Sequence, residues 1–159
     1  MRRKDKEISD RDIIEHILLK SEICRIALAD DDAPYIVPLN YGYAGDSLYF
    51  HSAPAGRKMQ LIRKNNRVCF EIEYLHEIVK HDVHQDMACN WTTRYRSVIG
   101  YGRIEVITDP EQKKKGLDIL MAHNGKSTGT GYHQGNVDSM VVLKLKIEEI
   151  TGKQSGDWE

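Results

Sequence analysis

Six stretches of this chain alternate apolar and polar residues at a period of two: residues 23–29, 34–43, 47–51, 67–74, 95–107 and 139–150. That period sends successive side chains to opposite faces, so each stretch reads as a half-buried strand. The turns Asp30-Asp31-Asp32 and Ala44-Gly45-Asp46 are too short for a crossover connection, so the strands they join pair antiparallel. Helical patterns are few: residues 9–20, a short one from Arg57, and one opened by Asp109-Pro110-Glu111-Gln112. Helices do not interleave regularly with strands and no G-x-G-x-x-G occurs, which argues against a parallel dinucleotide-binding sheet. The expectation is a mainly β fold, a six-stranded antiparallel barrel with helices laid against it.

Composition narrows the function classes. The 159 residues carry a net charge of −1, where a nucleic-acid binder usually concentrates a basic excess. No apolar run is long enough to span a bilayer, and the charged opening Met1-Arg-Arg-Lys-Asp5 lacks a signal-like apolar region. Three cysteines without C-x-x-C spacing suit reduced thiols. A single cytoplasmic domain over residues 1–159 is expected, with no membrane or nucleic-acid partner.

Local signals add detail. Ser9, with Asp12 three residues on, predicts the start of an amphipathic helix carrying Ile13, Ile14, Ile17 and Leu18. The triple acid at residues 30–32 reads as a solvated turn. Pro38 lies inside a strand whose residues Tyr35, Val37, Leu39, Tyr41 and Tyr43 share one face; it cannot donate to a ladder, which predicts an edge or bulge. Residues 75–93 have no clear period and are expected to carry a short helix or to cap something. Gly100 and Gly102 bare one face of their strand, for a backbone, a ring or a second subunit. Residues 124–136 read as a mobile loop, and residues 151–159 as a tail.

The stretch with chemical promise is residues 51–65. After strand-ending His51 and Ser52, a small-residue turn leads into a helix that begins Arg57-Lys58. Cations oppose the partial positive charge of a helix start, and a bound anion would reverse that sign; phosphate suits the turn amides, hydroxyl, guanidinium and ammonium together. Two solvated basic residues are the plain alternative. His81-x-x-His84 with His76 and Cys89 matches no standard metal spacing, and no metal site is assigned. Cys24 and Cys69 fall within strands, Cys89 has no nameable base, and no G-x-S-x-G turn is present. A phosphate site beside a proline-interrupted strand and a glycine-bared one would suit a phosphorylated planar cofactor.

Several segments, Tyr35-Ile-Val-Pro-Leu-Asn40, Leu48-Tyr-Phe-His-Ser52 with Gly56-Arg-Lys58, and Tyr95-Arg-Ser-Val-Ile-Gly-Tyr-Gly-Arg103, resemble the FMN-binding split-barrel superfamily of pyridoxamine-phosphate oxidase. More closely they resemble its nitroimidazole-resistance (Nim-type) branch, as do Met1–Asp5, Cys89-Asn-Trp-Thr92 and Thr151-Gly-Lys153. The resemblance implies a six-stranded split β-barrel and a homodimer with flavin at the interface. It implies FMN phosphate at His51, Ser52, Arg57 and Lys58, a flavin ring along Val37, Pro38, Leu39 and Asn40, and an approach to the ring near Ser97. It further implies NAD(P)H-dependent reduction of small molecules such as nitroaromatics. A flavin or haem carrier without turnover, and oxidation of a pyridoxine-type phosphate, are the alternatives. The oxidase proper has a tyrosine-threonine pair where this chain has His51-Ser52, and its C-terminal arginine and histidine motif has no match here.

Overall fold

The computed structural model describes residues 3–80, 91–125 and 131–158. A 3-10 turn (Lys4–Lys6) and a short strand β1 (Glu7–Ile8) precede helix α1 (Arg11–Lys20). Strands β2 (Ile23–Leu28), β3 (Tyr35–Asn40), β4 (Gly42–Ala44) and β5 (Ser47–Ser52) lead into helix α2 (Arg57–Lys64). The long strands β6 (Arg67–Lys80) and β7 (Trp91–Ile107) follow, then α3 (Pro110–His123), α4 (Gln134–Asp138) and β8 (Val141–Ser155).

The sheet runs β3-β2-β6-β7-β8-β5-β4, every pair antiparallel, with β1 added beside β8. Strands β3 and β4 are consecutive in the chain yet lie at opposite ends of this path. The single strand expected over residues 34–43 is therefore two, divided at Tyr41, and this division is the split in the barrel. Tyr41 is fully buried there, its hydroxyl donating to Leu18 O at 2.7 Å and its ring 4.7 Å from that of His123. With β1 the strands among the described residues number eight rather than six. Their alternation fills the interior: one row across the sheet, Leu39, Cys24, Ile72, Val98, Gly152 and Ile8, follows the strand register. Cys24, Ile72 and Val98 in that row are fully buried. Each fully buried apolar side chain contributes about 1.5–3 kcal/mol, so rows of this kind hold the fold together.

Several local expectations are corrected. Helix α1 is capped by Asp10, not Ser9, because the Asp10 carboxylate accepts the Asp12 N–H at 2.9 Å. Residues 75–80 and 91–93 are the outer ends of β6 and β7, so the expected helix or cap in residues 75–93 is replaced by extended pairing wherever the chain is described. A register shift between Tyr74 and His76, with Leu75 at φ 49°, had obscured the period. Part of the loop over residues 124–136 is helix α4. Residues 151–155 belong to β8, which shortens the tail. Gly100 and Gly102 serve the barrel itself: a Cβ at Gly100 would strike the Phe70 ring, and one at Gly102 the Lys146 carbonyl. The bared face is filled from within and offers no room to a planar ligand.

Candidate functional site: the start of helix α2

Helix α2 leaves β5 through Gly56, whose φ of 101° is a conformation that side chains disfavour. No side chain caps the helix and its first turn holds no acid. Its first N–H groups lack intrahelical acceptors by construction, and Arg57 and Lys58 stand beside them. Three apolar residues, Met59, Leu61 and Ile62, bury the other side of α2 and fix its position.

The two cations differ. Arg57 is already engaged: its Nη2 and Nε donate to Asp30 Oδ2 at 2.7 and 3.2 Å, and its guanidinium lies 4.8 Å from the Tyr35 ring centroid. Arg57, helped by the Asp31 N–H, holds the Asp30 carboxyl below its ordinary range. Lys58 is half-buried and has no hydrogen-bonding or ionic partner among the described residues. Desolvation lowers its pKa from the ordinary lysine value. A partly dried, unpaired ammonium next to unused helix N–H groups is unfavourable by itself and becomes favourable when an anion joins them.

The acidic turn after β2, expected to be merely solvated, docks this helix. Asp31 accepts Lys64 Nζ at 2.7 and 2.9 Å, while Asp30 holds Arg57. Sequence reading missed both acids, and the signal that could have found them is their charge complement to a helix about 30 residues later, which no local window contains.

The other candidate residues are distributed as follows. His51 is exposed and Ser52 buried, on opposite faces of β5, and the Ser52 hydroxyl donates to Ala53 O at 3.0 Å. Strand β3 starts at the Arg57–Tyr35 contact and leads away from it. Val37 and Leu39 pack against the core, whereas Pro38 and Asn40 face outward. Because β3 pairs only with β2 among the described residues, its far edge keeps backbone groups that no described strand pairs, as Pro38 suggests. From Tyr35 to Asn40 this edge runs about 17 Å at ~3.3 Å per residue. Ser97 lies on β7, opposite Glu73 and Lys153, three strands from β3. At ~4.8 Å per strand it is about 14 Å away, so one chain does not bring it to β3.

Other chemistry has less support. Burial pushes the Cys24 thiol up, away from thiolate reactivity. Among the described residues no group of three or more metal-ligating side chains converges; His81, His84 and Cys89 lie outside them. No helix among the described residues is long and apolar enough to cross a membrane.

Comparison with known proteins agrees with this architecture. A 65-residue stretch is 34% identical to an uncharacterized protein of Rhizobium meliloti (strain 1021), a match that takes in 41% of this chain and 42% of that protein. The fold superposes with a TM-score of 0.80, at 34% identity, on a candidate 5-nitroimidazole antibiotic resistance protein from Bacteroides thetaiotaomicron, covering 93% of this chain and 86% of the other. Two more distant structures share the fold at 22% identity and a TM-score of 0.82: a flavocytochrome from Azotobacter vinelandii and an FAD and haem binding protein from Mycobacterium smegmatis. This chain covers 72% and 75% of them, and they cover 99% and 96% of it. The family model described as pyridoxamine 5'-phosphate oxidase matches residues 10–154, from the cap of α1 to the end of β8. With that match taking in every strand but β1, the chain belongs to the pyridoxamine 5'-phosphate oxidase family.

Proposed function

We propose that this protein binds FMN, with the phosphate at the start of α2 and the ring along the edge of β3, and reduces small molecules such as nitroaromatics with electrons from NAD(P)H. The observation that carries the cofactor assignment is Lys58, half-buried and unpaired among the described residues, beside uncapped helix N–H groups. When bound, the flavin supplies the two-electron exchange between reductant and acceptor. The chain's own residues position and shield it. Lys58 and the α2 amides neutralise the phosphate; Arg57 completes the clamp by leaving or sharing Asp30. The β3 backbone offers hydrogen bonds to polar ring edges, and His51 and Ser52 flank the phosphate from the end of β5.

A homodimer completes the reading. Ile23, Ile36, Ile99 and Tyr101, exposed by 37, 60, 48 and 43%, share the outer face of the sheet with Pro38, Asn40 and Ser97. A second copy on that face would cover this apolar surface and carry its own Ser97 toward the β3 edge. The reductase assignment draws on the nitroimidazole-resistance relative. The test is the absorbance spectrum of the purified protein, before and after FMN titration and then with NADPH. Yellow protein bleached by NADPH is expected; colourless protein that takes up no FMN sinks the proposal. The names of the flavocytochrome and the FAD and haem binding neighbour favour one second reading, a carrier without turnover. Bound cofactor that neither NADH nor NADPH reduces would support it.

A further inference from the structure

A cavity of about 540 Å3 opens between helix α1, strands β1 and β8, and the turn that joins β4 to β5. Its floor is apolar: Ile8, Ile14, Leu18, Tyr43, Ile147 and Ile150, of which Ile8 and Leu18 are buried. A bulge shapes the β8 side. Tyr101 pairs with Glu149 and Gly102 with Ile147, which leaves Glu148 as an extra residue. The Ile147 N–H donates to Asp46 O at 2.9 Å and ties β8 to the turn. In a regular strand Ile147 and Glu148 would face opposite sides; here both line the cavity. No lining residue belongs to α2 or β3, and β4 ends the sheet opposite β3, so this cavity is separate from the proposed flavin site.

The rim is acidic. Glu7, Glu15, Asp46 and Glu148 reach it from four different elements, against a single guanidinium, that of Arg11. Glu148 is matched by Arg103, Nε to Oε1 at 3.1 Å, and Asp46 Oδ1 accepts the Ser47 hydroxyl at 2.8 Å. The side chains of Glu7, Glu15 and Arg11 have no hydrogen-bonding or ionic partner among the described residues. Arg11 offsets one charge at most, so the rim stays negative. Burial, then the Glu15 and Asp46 carboxylates, push the Tyr43 phenol up, which sets both charges within electrostatic reach of the one aromatic ring in the lining. The acids do not close on a point, since no group of three or more metal-ligating side chains converges among the described residues. Carboxylates spread around an apolar floor suit an organic cation, with a positive end and a hydrocarbon body, better than a metal ion that needs its ligands together. The volume is that of a small-molecule site.

We infer that this cavity binds a protonated amine carried on an apolar body, with the ammonium at the Glu15 and Asp46 edge and the body against Ile14, Ile147 and Ile150. The inference goes beyond the flavin reading and does not depend on it. The probe is 2-phenylethylamine, titrated calorimetrically near neutral pH into full-length protein, with and without added FMN. Ethylamine removes the ring, 2-phenylethanol removes the charge, and 3-phenylpropionate reverses it. Glu15→Gln and Asp46→Asn each remove one rim charge, and Arg11→Gln removes the opposing one. All three side chains are exposed, and melting curves confirm that each variant is folded.

The wild type is expected to bind 2-phenylethylamine and to bind each analogue roughly tenfold more weakly or worse. Glu15→Gln and Asp46→Asn should each weaken the amine by roughly 2- to 5-fold, the size of a part-solvated ion pair, and Arg11→Gln should tighten it by about as much. FMN affinity should be unaltered in all three. Equal binding of 2-phenylethanol, or amine affinity unchanged when Glu15→Gln and Asp46→Asn are combined in a folded protein, would overturn the inference. So would ethylamine binding that matches 2-phenylethylamine and is displaced by magnesium chloride, since that describes counterions on an acidic rim. No binding of 2-phenylethylamine at millimolar concentration ends it. Whether FMN binds decides the flavin reading alone. Should one variant be unfolded, the other two decide.

Discussion

Two helices in this protein begin in opposite ways. Helix α3 starts with Asp109, whose carboxylate accepts the Gln112 N–H at 2.9 Å, followed by Pro110 and the acidic Glu111. Cap, proline and acid each favour a helix start, and together they leave it satisfied from within. Helix α2 starts with a glycine that caps nothing and two cations, one of them half-buried without a partner among the described residues. The first helix start is built for stability. The second gives up local stability and keeps its N–H groups and positive charge available, which is what an anion site requires.

The contrast can be broken most directly at Lys58. Lys58→Ala should weaken FMN binding by about 1.5–3 kcal/mol, ~10- to 150-fold, because a charge-assisted contact is lost from a partly dried site. Thermal stability of the flavin-free protein should hold or rise, as an unpaired ammonium leaves a desolvated position. Flavin fluorescence quenching and melting curves read the two effects separately; a destabilised protein with unaltered FMN affinity would make Lys58 structural.

Asp109→Ala is the opposite case. It should cost about 1 kcal/mol of folding stability through the lost cap, measurable by urea denaturation, with FMN affinity unaltered. A smaller effect is expected at Asp30, which holds Arg57 and brings negative charge beside the proposed phosphate. Asp30→Asn should tighten FMN binding by roughly 3- to 10-fold and make it more sensitive to salt, because a negative charge that opposes the phosphate is gone. Weaker binding in this variant would mean that Asp30 acts chiefly by orienting Arg57.

The smallest effect concerns pH. The lowered Lys58 pKa means that its ammonium is lost below the free-lysine value of 10.5. The charged form is the one that clamps a dianion, so FMN affinity should decline on the alkaline side before pH 10.5, and Lys58→Ala should flatten that limb. The Asp30 carboxyl is shifted the other way: its folded pKa lies below 3.8, so the stability it lends is complete above that value and fades as pH falls through the lowered one. Acid titration of Asp30→Asn should lack this component.

Much of the fold was legible because burial imposes a period. Strands β2, β5 and most of β6, β7 and β8 follow from alternation that sets Ile26, Phe50, Phe70, Ile104 and Leu145 inward, all of them buried. The α3 start was legible because capping is a local code spanning Asp109 to Gln112. The oddity of Gly56-Arg57-Lys58 was legible for the same reason: its misfit is with its own helix.

What sequence could not supply depends on partners distant in the chain. The same alternating stretch over residues 34–43 supports one strand or two, and only the pairing of β3 with β2 and of β4 with β5 decides that the chain divides at Tyr41. Gly100 and Gly102 announce a close approach without saying by what; the Phe70 ring and the Lys146 carbonyl answer it from within the barrel. Asp30 and Asp31 look like solvent-facing turn residues until α2 is folded against them. The sequence by itself thus determined where most of the strands and the three longer helices form and which helix start was left unbalanced, since those rest on contacts a few residues apart. Tertiary structure alone decided which cation stays unpaired, how the barrel splits, and which residues meet at the Glu148 bulge, because each depends on segments brought together only by folding.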